Sequence, residues 1–198
     1  MKLENYSEAM TLKNGSPILI RSLKQTDGPS LQAFFRSLPE EDRLFLDDDV
    51  TAPSFMDRYL ASADFETTIP LVAEHEGKIV GVGSLKRPRY GWMSHVGTIR
   101  VVVARAMQRR GVAQRLVKAL SGIAVNLGLD KMVAEVAETQ AGARRAFERL
   151  GFKAEATLKG HIRDLYGRPR DMVIMANDVT HLWESYRDLA EEFLPPVE

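Results

Sequence analysis

"RVVVARAMQRRGVAQRLV", residues 100–117, passes from an unbroken valine run through a basic turn into a helix, with a single glycine at the junction. The run Val101-Val102-Val103 does not alternate apolar with polar residues, which predicts a strand covered on both faces. After Gly111, apolar residues recur at Val112, Leu116, Leu120, Ala124 and Leu127, the spacing of one helix face, and Gly128 supplies a stop. The first amides of such a helix have no intrahelical acceptors, and its dipole favours an anion at that end. Gly111 allows close backbone approach, Ala113 keeps the first turn slim, Gln108 offers hydrogen bonds, and Arg109 and Arg110 add charge. A turn of this kind suits a diphosphate. Read alone, it is equally an ordinary solvated connection. The segment lacks both GxGxxG and GxxxxGK[ST], which argues against dinucleotide cofactors and ATP.

Working outward, the stretch 95–104 is a strand with Gly97 inside it, and KMVAEVA (131–137) is the next. Between them lies the helix just described. Upstream, PILIRS (17–22) reads as a strand. TDGPSLQAFFRSL reads as a helix with Leu31, Phe34, Phe35 and Leu38 on its apolar face, and PSFMDRYLASA, from Pro53, as a second. IPLVAEHEGKIVGVGSLKR places two apolar runs about Glu76-Gly77-Lys78, a β-hairpin. Downstream, QAGARRAFERLG is a helix with Ala143, Ala146, Phe147 and Leu150 on one side. Strands near 152–165 and 170–177 flank the turn Tyr166-Gly167-Arg168-Pro169. The tail aligns Leu182, Tyr186, Leu189 and Phe193 as a closing helix over 180–193. The expected fold is α/β: a mixed, mostly antiparallel sheet of six to seven strands flanked by about four helices, plus the C-terminal helix. One domain is expected over 1–198, with its core at 17–178.

Composition narrows the function. The 198 residues carry 27 basic and 27 acidic side chains, so no global field recruits nucleic acid or an anionic membrane. There is no cysteine, which removes disulfides, thiolate metal sites and a cysteine nucleophile. The N-terminal residues lack the apolar core of a signal peptide and no stretch approaches a membrane span, so a cytoplasmic protein without metal is expected.

Two segments carry a resemblance. Gln108-Arg109-Arg110-Gly111-Val112-Ala113 matches the Q/R-x-x-G-x-G/A signature of the GNAT superfamily of N-acetyltransferases, with Val101 and Val103 at the apolar strand positions before it. QAGARRAFERLGF (140–152) resembles the family's N-x-x-A-x-x-x-Y-x-x-x-G-F segment, and AEVAETQ (134–140) sits where the family's fifth strand enters that helix. The likeness runs from Leu19 to Asp178. It implies acetyl-CoA as co-substrate and a primary amine as acceptor, which attacks the thioester directly with no acyl-enzyme. It further implies that strands 95–104 and 131–137 splay apart near Val103. The pantetheine arm would pair with the backbone of Val101, Val102 and Val103, and the diphosphate would lie on the amides from Gln108 to Gln114. An amide near Val103 would hold the oxyanion.

Two positions depart from the family pattern. Gln140 replaces its asparagine, keeping the amide but changing its reach. Phe147 replaces the tyrosine that often protonates the leaving thiolate; the loss of such an acid is worth ~10² to 10⁴ in rate. His95 is the candidate base for the amine proton and Tyr166 the candidate acid. Glu135 is read as supporting the sheet. Asp164 and Asp171 flank the Tyr166 turn as hairpin charges or as attraction for a cationic amine. Arg87, Arg89, Tyr90 and Trp92 form either a solvated loop or a substrate lip, and Arg144 and Arg145 are surface charges or partners of the nucleotide phosphate. FFRSLPEEDRLFL (34–46) resembles a segment preceding the acetyltransferase domain of bacterial protein-lysine acetylating enzymes, which does not choose between protein lysine, a protein N-terminus and small amines. An acyl-CoA-binding module with little turnover is the alternative, and the oligomeric state, monomer or homodimer, stays open.

Overall fold

The computed structural model describes residues 3–179 apart from 13, 45, 47 and 53. β1 (Ser7–Thr11) and β2 (Pro17–Ser22) form a hairpin, followed by α1 (Gly28–Ser37), the single turn α2 (Glu40–Arg43) and α3 (Phe55–Ala61). β3 (Thr68–His75) and β4 (Lys78–Lys86) make a second hairpin, turned at Glu76 and Gly77 with φ of 51° and 73°. β5 (Val96–Val103) leads through a 3-10 turn at Arg105–Met107 into α4 (Val112–Asn126). Then come β6 (Lys131–Ala137), α5 (Ala141–Arg149) and the hairpin of β7 (Lys153–Arg163) and β8 (Pro169–Asp178).

The strands form one sheet in the order β1-β2-β3-β4-β5-β6-β8-β7. Every neighbouring pair is antiparallel except β5 and β6, which the crossover through α4 makes parallel. There are eight strands where six to seven were expected. The extra one, β1, is an edge strand with four of its five residues exposed, so SEAMT carries no apolar alternation by which to recognise it. The one-turn α2 is likewise too short for a helical period. The expected closing helix at 180–193 lies outside the described residues.

Each face of the sheet holds a core. On one, α4 presents Val112, Leu116, Leu120 and Ile123 to Leu85, Ile99, Met132 and Met175, and α5 adds Phe147 and Leu150 at the margin. Two glycines of β4 let α4 lie close. A methyl on Gly83 would come 3.1 Å from Leu120 Cδ1, and one on Gly81 3.2 Å from Val112 Cγ1. On the other face, Leu31, Phe34 and Phe35 of α1 and Phe55 and Met56 of α3 cover Val72 and Val82. Among the described residues, no helix is long and apolar enough to cross a membrane.

Candidate functional site

The parallel joint between β5 and β6 is short. It comprises Val96–Lys131, Gly97–Met132 and Thr98–Val133. Beyond it each strand keeps its outer partner, β5 pairing with β4 as far as Val103–Gly81 and β6 with β8 as far as Ala137–Met172. The sheet therefore opens between residues 99–103 and 134–137. The separation starts at Ile99, earlier than the expected point near Val103, because an apolar run records how deeply a strand is buried and not which strand lies beside it.

The direction of the backbone decides which valines face this gap. The Ala104 amide donates to Val80 O. Successive residues of a strand turn their polar groups to opposite edges, so Val102 also faces β4, while Val101 and Val103 turn amide and carbonyl to the gap. Val102, expected to share their role, is thus engaged in the β4 ladder. All three side chains are half-buried: Val101 and Val103 pack on the α4 side and Val102 on the other.

At the end of the gap stands the basic turn. Buried Met107 anchors it, Arg109 takes a left-handed φ of 61°, and Gly111 takes 95° as the N-cap of α4. No side chain caps this helix. Its first backbone bond runs from Arg115 N–H to Gly111 O at 3.0 Å. The amides of Val112, Ala113 and Gln114 therefore have no intrahelical acceptor. Buried Val112 fixes the helix start, and Arg109 and Arg110 are exposed beside it. Gln108 Nε2 reaches back to Val103 O at 3.4 Å, tying the turn to the gap. A chain of outward-facing amides with flanking guanidinium groups is a site for phosphate oxygens, and the free edge of β5 is a site for an extended amide-bearing chain.

A cavity of about 260 Å³ lies on the opposite face, roofed by α1 and α3 and floored by β4 and β5. Phe35, Phe55 and Tyr59 wall it, Phe35 meeting the other two rings edge-on at 5.5 and 5.9 Å. Val82, Ser84, Arg100 and Val102 form its floor. Burial pushes the Tyr59 phenol up to about 12 despite the opposing charge of Arg100, so it stays protonated. Arg58 at the rim holds both oxygens of Asp48. Val102 joins cavity and gap, since its side chain lines the one and its neighbours' amides face the other. Arg100 Nη2 also approaches Glu135 Oε2 at 3.8 Å across the parted strands. Sequence alone does not single out these cavity residues, because phenylalanines and a tyrosine at helical spacing look the same whether they fill a core or wall a pocket.

The remaining expected residues fall in different places. His95 is exposed just before β5, six residues or about 20 Å of strand from Val101. It lies at the joined end of the strands, and the fold does not bring it to the gap. Tyr166 is on the correct end of the sheet but at the tip of the β7–β8 hairpin, 80% exposed and under the Arg168 guanidinium at 5.4 Å. Gln140 caps α5 and folds its Oε1 back to the Ala137 amide at 3.3 Å, closing the turn after β6. Phe147 packs edge-on against buried Phe152 at 5.0 Å. Asp164 holds the amides of Tyr166 and Arg168 and the guanidinium of Arg170, while Asp171 holds Lys159 and the Gly160 amide. Both are hairpin supports. Arg87 and Arg89 are tied to Glu66 by its carbonyl and carboxylate, leaving Tyr90 and Trp92 exposed away from the gap. Arg144 is half-buried and Arg145 exposed on α5.

Comparison with known proteins agrees with this fold. The family model described as "Acetyltransferase (GNAT) family" matches residues 31–152. The GNAT domain of S. lividans PAT superposes with a TM-score of 0.73 at 19% identity, covering 87% of this chain and 96% of that one. Mycobacterium smegmatis RimJ, solved in complex with CoA-disulfide, gives 0.71 at 18% identity over 91% and 94%. The putative acetyltransferase yncA from Salmonella typhimurium, solved with its cofactor acetyl-CoA, gives 0.70 at 20% over 82% and 94%. At these identities the superpositions speak for the fold. No curated protein sequence matches the chain.

Proposed function

The chain belongs to the acetyltransferase (GNAT) family, acyltransferases that use acetyl-CoA as co-substrate, and from that premise we propose that it moves the acetyl group to a primary amine seated in the cavity under α1 and α3. The observation that carries this reading is the gap itself. It puts the gap-facing main-chain groups of Val101 and Val103, beyond the last pair that joins β5 to β6, between an anion cradle and an aromatic cavity.

In this reading the amides of Val112, Ala113 and Gln114, with Arg109 and Arg110 beside them, take the diphosphate. Val101 and Val103 pair with the amide-bearing arm as an added strand would. That register brings the thioester to the level of Val102, where the cavity opens. An amide of β5 facing the gap is fixed in direction before the reaction, so it stabilises the oxyanion without reorganising. The aromatic walls exclude water from the carbonyl and orient the amine for direct attack. A protein acid for the departing sulfur is not required, because a thiol with pKa near 8.5 leaves as a tolerable anion. Phe147 has no proton to give and Tyr166 stands out in solvent.

Acetyl-CoA is therefore expected to stabilise the folded protein, by ~2.7 kcal/mol when present at about a hundredfold its dissociation constant. Thermal melts with and without acetyl-CoA, followed by CoA release against a panel of alkyl amines, lysine peptides and peptide N-termini, test the reading. An unshifted melting temperature for a folded sample overturns it.

A further inference from the structure

The cavity under α1 and α3 is small, and its roof is aromatic. Phe35 comes from α1, while Phe55 and Tyr59, one turn apart on α3, hold their ring centres 5.3 Å from one another. Phe35 meets both of these rings edge-on, so three rings from two helices form one corner. Val82 and Val102 close the apolar part from below. An apolar cavity of about 150 Å³ takes a benzene molecule. At about 260 Å³, this one has room for a single ring and a short chain. A straight alkyl stem is one methylene wide and would leave part of that space empty, forfeiting contacts. A corner of rings favours a further ring, edge against face.

Two polar features narrow the occupant further. The Tyr59 O–H has no hydrogen-bond acceptor among the described residues, although the phenol lines the cavity and stays protonated. A sheltered hydroxyl without a partner costs free energy that an oxygen of a ligand recovers. Among the described residues the lining holds one acid, Asp48, against Arg58, Lys86 and Arg100, and Arg58 takes both of its oxygens. A second ammonium group inside the cavity would find no such carboxylate at its disposal, and burying it unpaired is costly.

We propose that the acceptor is a small aryl-alkyl amine: one aromatic ring seated against Phe35, Phe55 and Tyr59, an oxygen on that ring accepting from the Tyr59 hydroxyl, and a short chain that carries a single amine to the gap at Val102. This deepens the acetyl-transfer reading above and rests on it. Phe55 and Tyr59 are then specificity residues, which choose the acceptor and take no part in bond making. Diamines and lysine side chains are poor acceptors, the first for their second charge and the second for their narrow stem.

The test compares kcat/KM for CoA release in the full chain across matched amines. 2-Phenylethylamine and 2-cyclohexylethylamine share a carbon skeleton, so their ratio reads the ring contact. It is expected to favour the phenyl compound ~3- to 10-fold, the worth of an aromatic pair, and Phe55→Leu is expected to bring it close to one. Of the three methoxy-substituted 2-phenylethylamines, one is expected to exceed the unsubstituted amine ~3- to 10-fold, the worth of one hydrogen bond. Tyr59→Phe is expected to remove that gain. 1,4-Diaminobutane is expected to fall ~10-fold or more below butylamine. A rise in melting temperature with acetyl-CoA shows that a variant is folded; where one is not, the ratios of the parent protein decide by themselves. A phenyl-to-cyclohexyl ratio near one overturns the proposal and leaves the transfer reading in place. So does a diamine or lysine peptide that is acetylated as efficiently as 2-phenylethylamine, or a methoxy gain that survives Tyr59→Phe. A parent protein that binds acetyl-CoA but acetylates no amine of the series overturns both readings.

Discussion

Gly111 sits at φ 95° because the chain must reverse direction between the basic turn and α4 while leaving its amides exposed. An L residue in the left-handed region costs about 1–2 kcal/mol, and Arg109 two positions earlier already adopts φ 61°. Two departures of this kind within three residues, with no side-chain cap, make sense as a concave array of N–H groups held ready for an anion. Gly111→Ala and Gly111→Glu separate strain from charge. Both are expected to lose about 1–2 kcal/mol of stability through the backbone. Gly111→Glu, which also sets a carboxylate against the diphosphate, is expected to abolish measurable acetyl-CoA binding, whereas Gly111→Ala weakens it mildly. Calorimetric titration of both decides, and a glutamate variant that binds as well as the alanine one removes the cradle. At this scale the sequence was informative for the cofactor and poor for the chemistry. Gln108, Arg109, Arg110 and Gly111 are contiguous, so one turn places them. A base for the acceptor depends on which strands part and how far, and His95 is three-dimensionally remote although close in sequence to Val101.

Among elements, the joint between β5 and β6 carries the greatest constraint. Three residue pairs connect the β1–β5 half of the sheet to the β6-β8-β7 half, and Gly97 is the central one. A methyl there would lie 2.6 Å from Leu85 Cδ1 and 2.8 Å from Leu129 Cδ1, both on buried side chains. Neither can retreat without disturbing the core under α4, so Gly97→Ala is expected to cost ~1–3 kcal/mol, the usual penalty for overpacking. Urea denaturation measures it, and an unshifted midpoint would show that the joint yields. The long periodic elements were legible: α4 from its apolar face and glycine stop, and the β3–β4 hairpin from Glu76-Gly77. β1 was not, because an exposed edge strand buries nothing that a sequence pattern can record. The parting of β5 from β6 was expected from family likeness alone, and its onset at Ile99 is a property of pairing that no single strand encodes.

On the scale of the whole molecule, the two cores meet a polar pin at the start of α1. Arg21 of β2 is buried between Asp27, bonded at 2.7 and 2.9 Å, and Glu74 of β3 at 2.8 Å, linking two strands to the helix that roofs the cavity. Burial by itself would raise the Asp27 carboxyl. The Arg21 hydrogen bonds, the Lys24 amide and the Arg21 charge outweigh it and bring the group below the usual carboxylate value. Asp64, before β3, is likewise lowered despite some desolvation, by the Thr67 hydroxyl and the amides of Glu66, Thr67 and Thr68. Both groups have a folded pKa below the unfolded one, so as pH falls the unfolded chain protonates first. Their contribution to stability is full above the unfolded value of about 3.9 and disappears as the pH drops through the folded values. Stability is therefore expected to be level from neutral pH to about 5 and to fall steeply below about 4. Asp27→Asn should lower the plateau, because Arg21 loses its buried acid partner and keeps only the half-buried Glu74, and should flatten the acid slope, because one depressed carboxyl no longer titrates. Urea midpoints of both proteins across that range test this. Parallel curves would mean that Asp27 gains nothing from Arg21, and that the helix over the cavity is held by its apolar face alone.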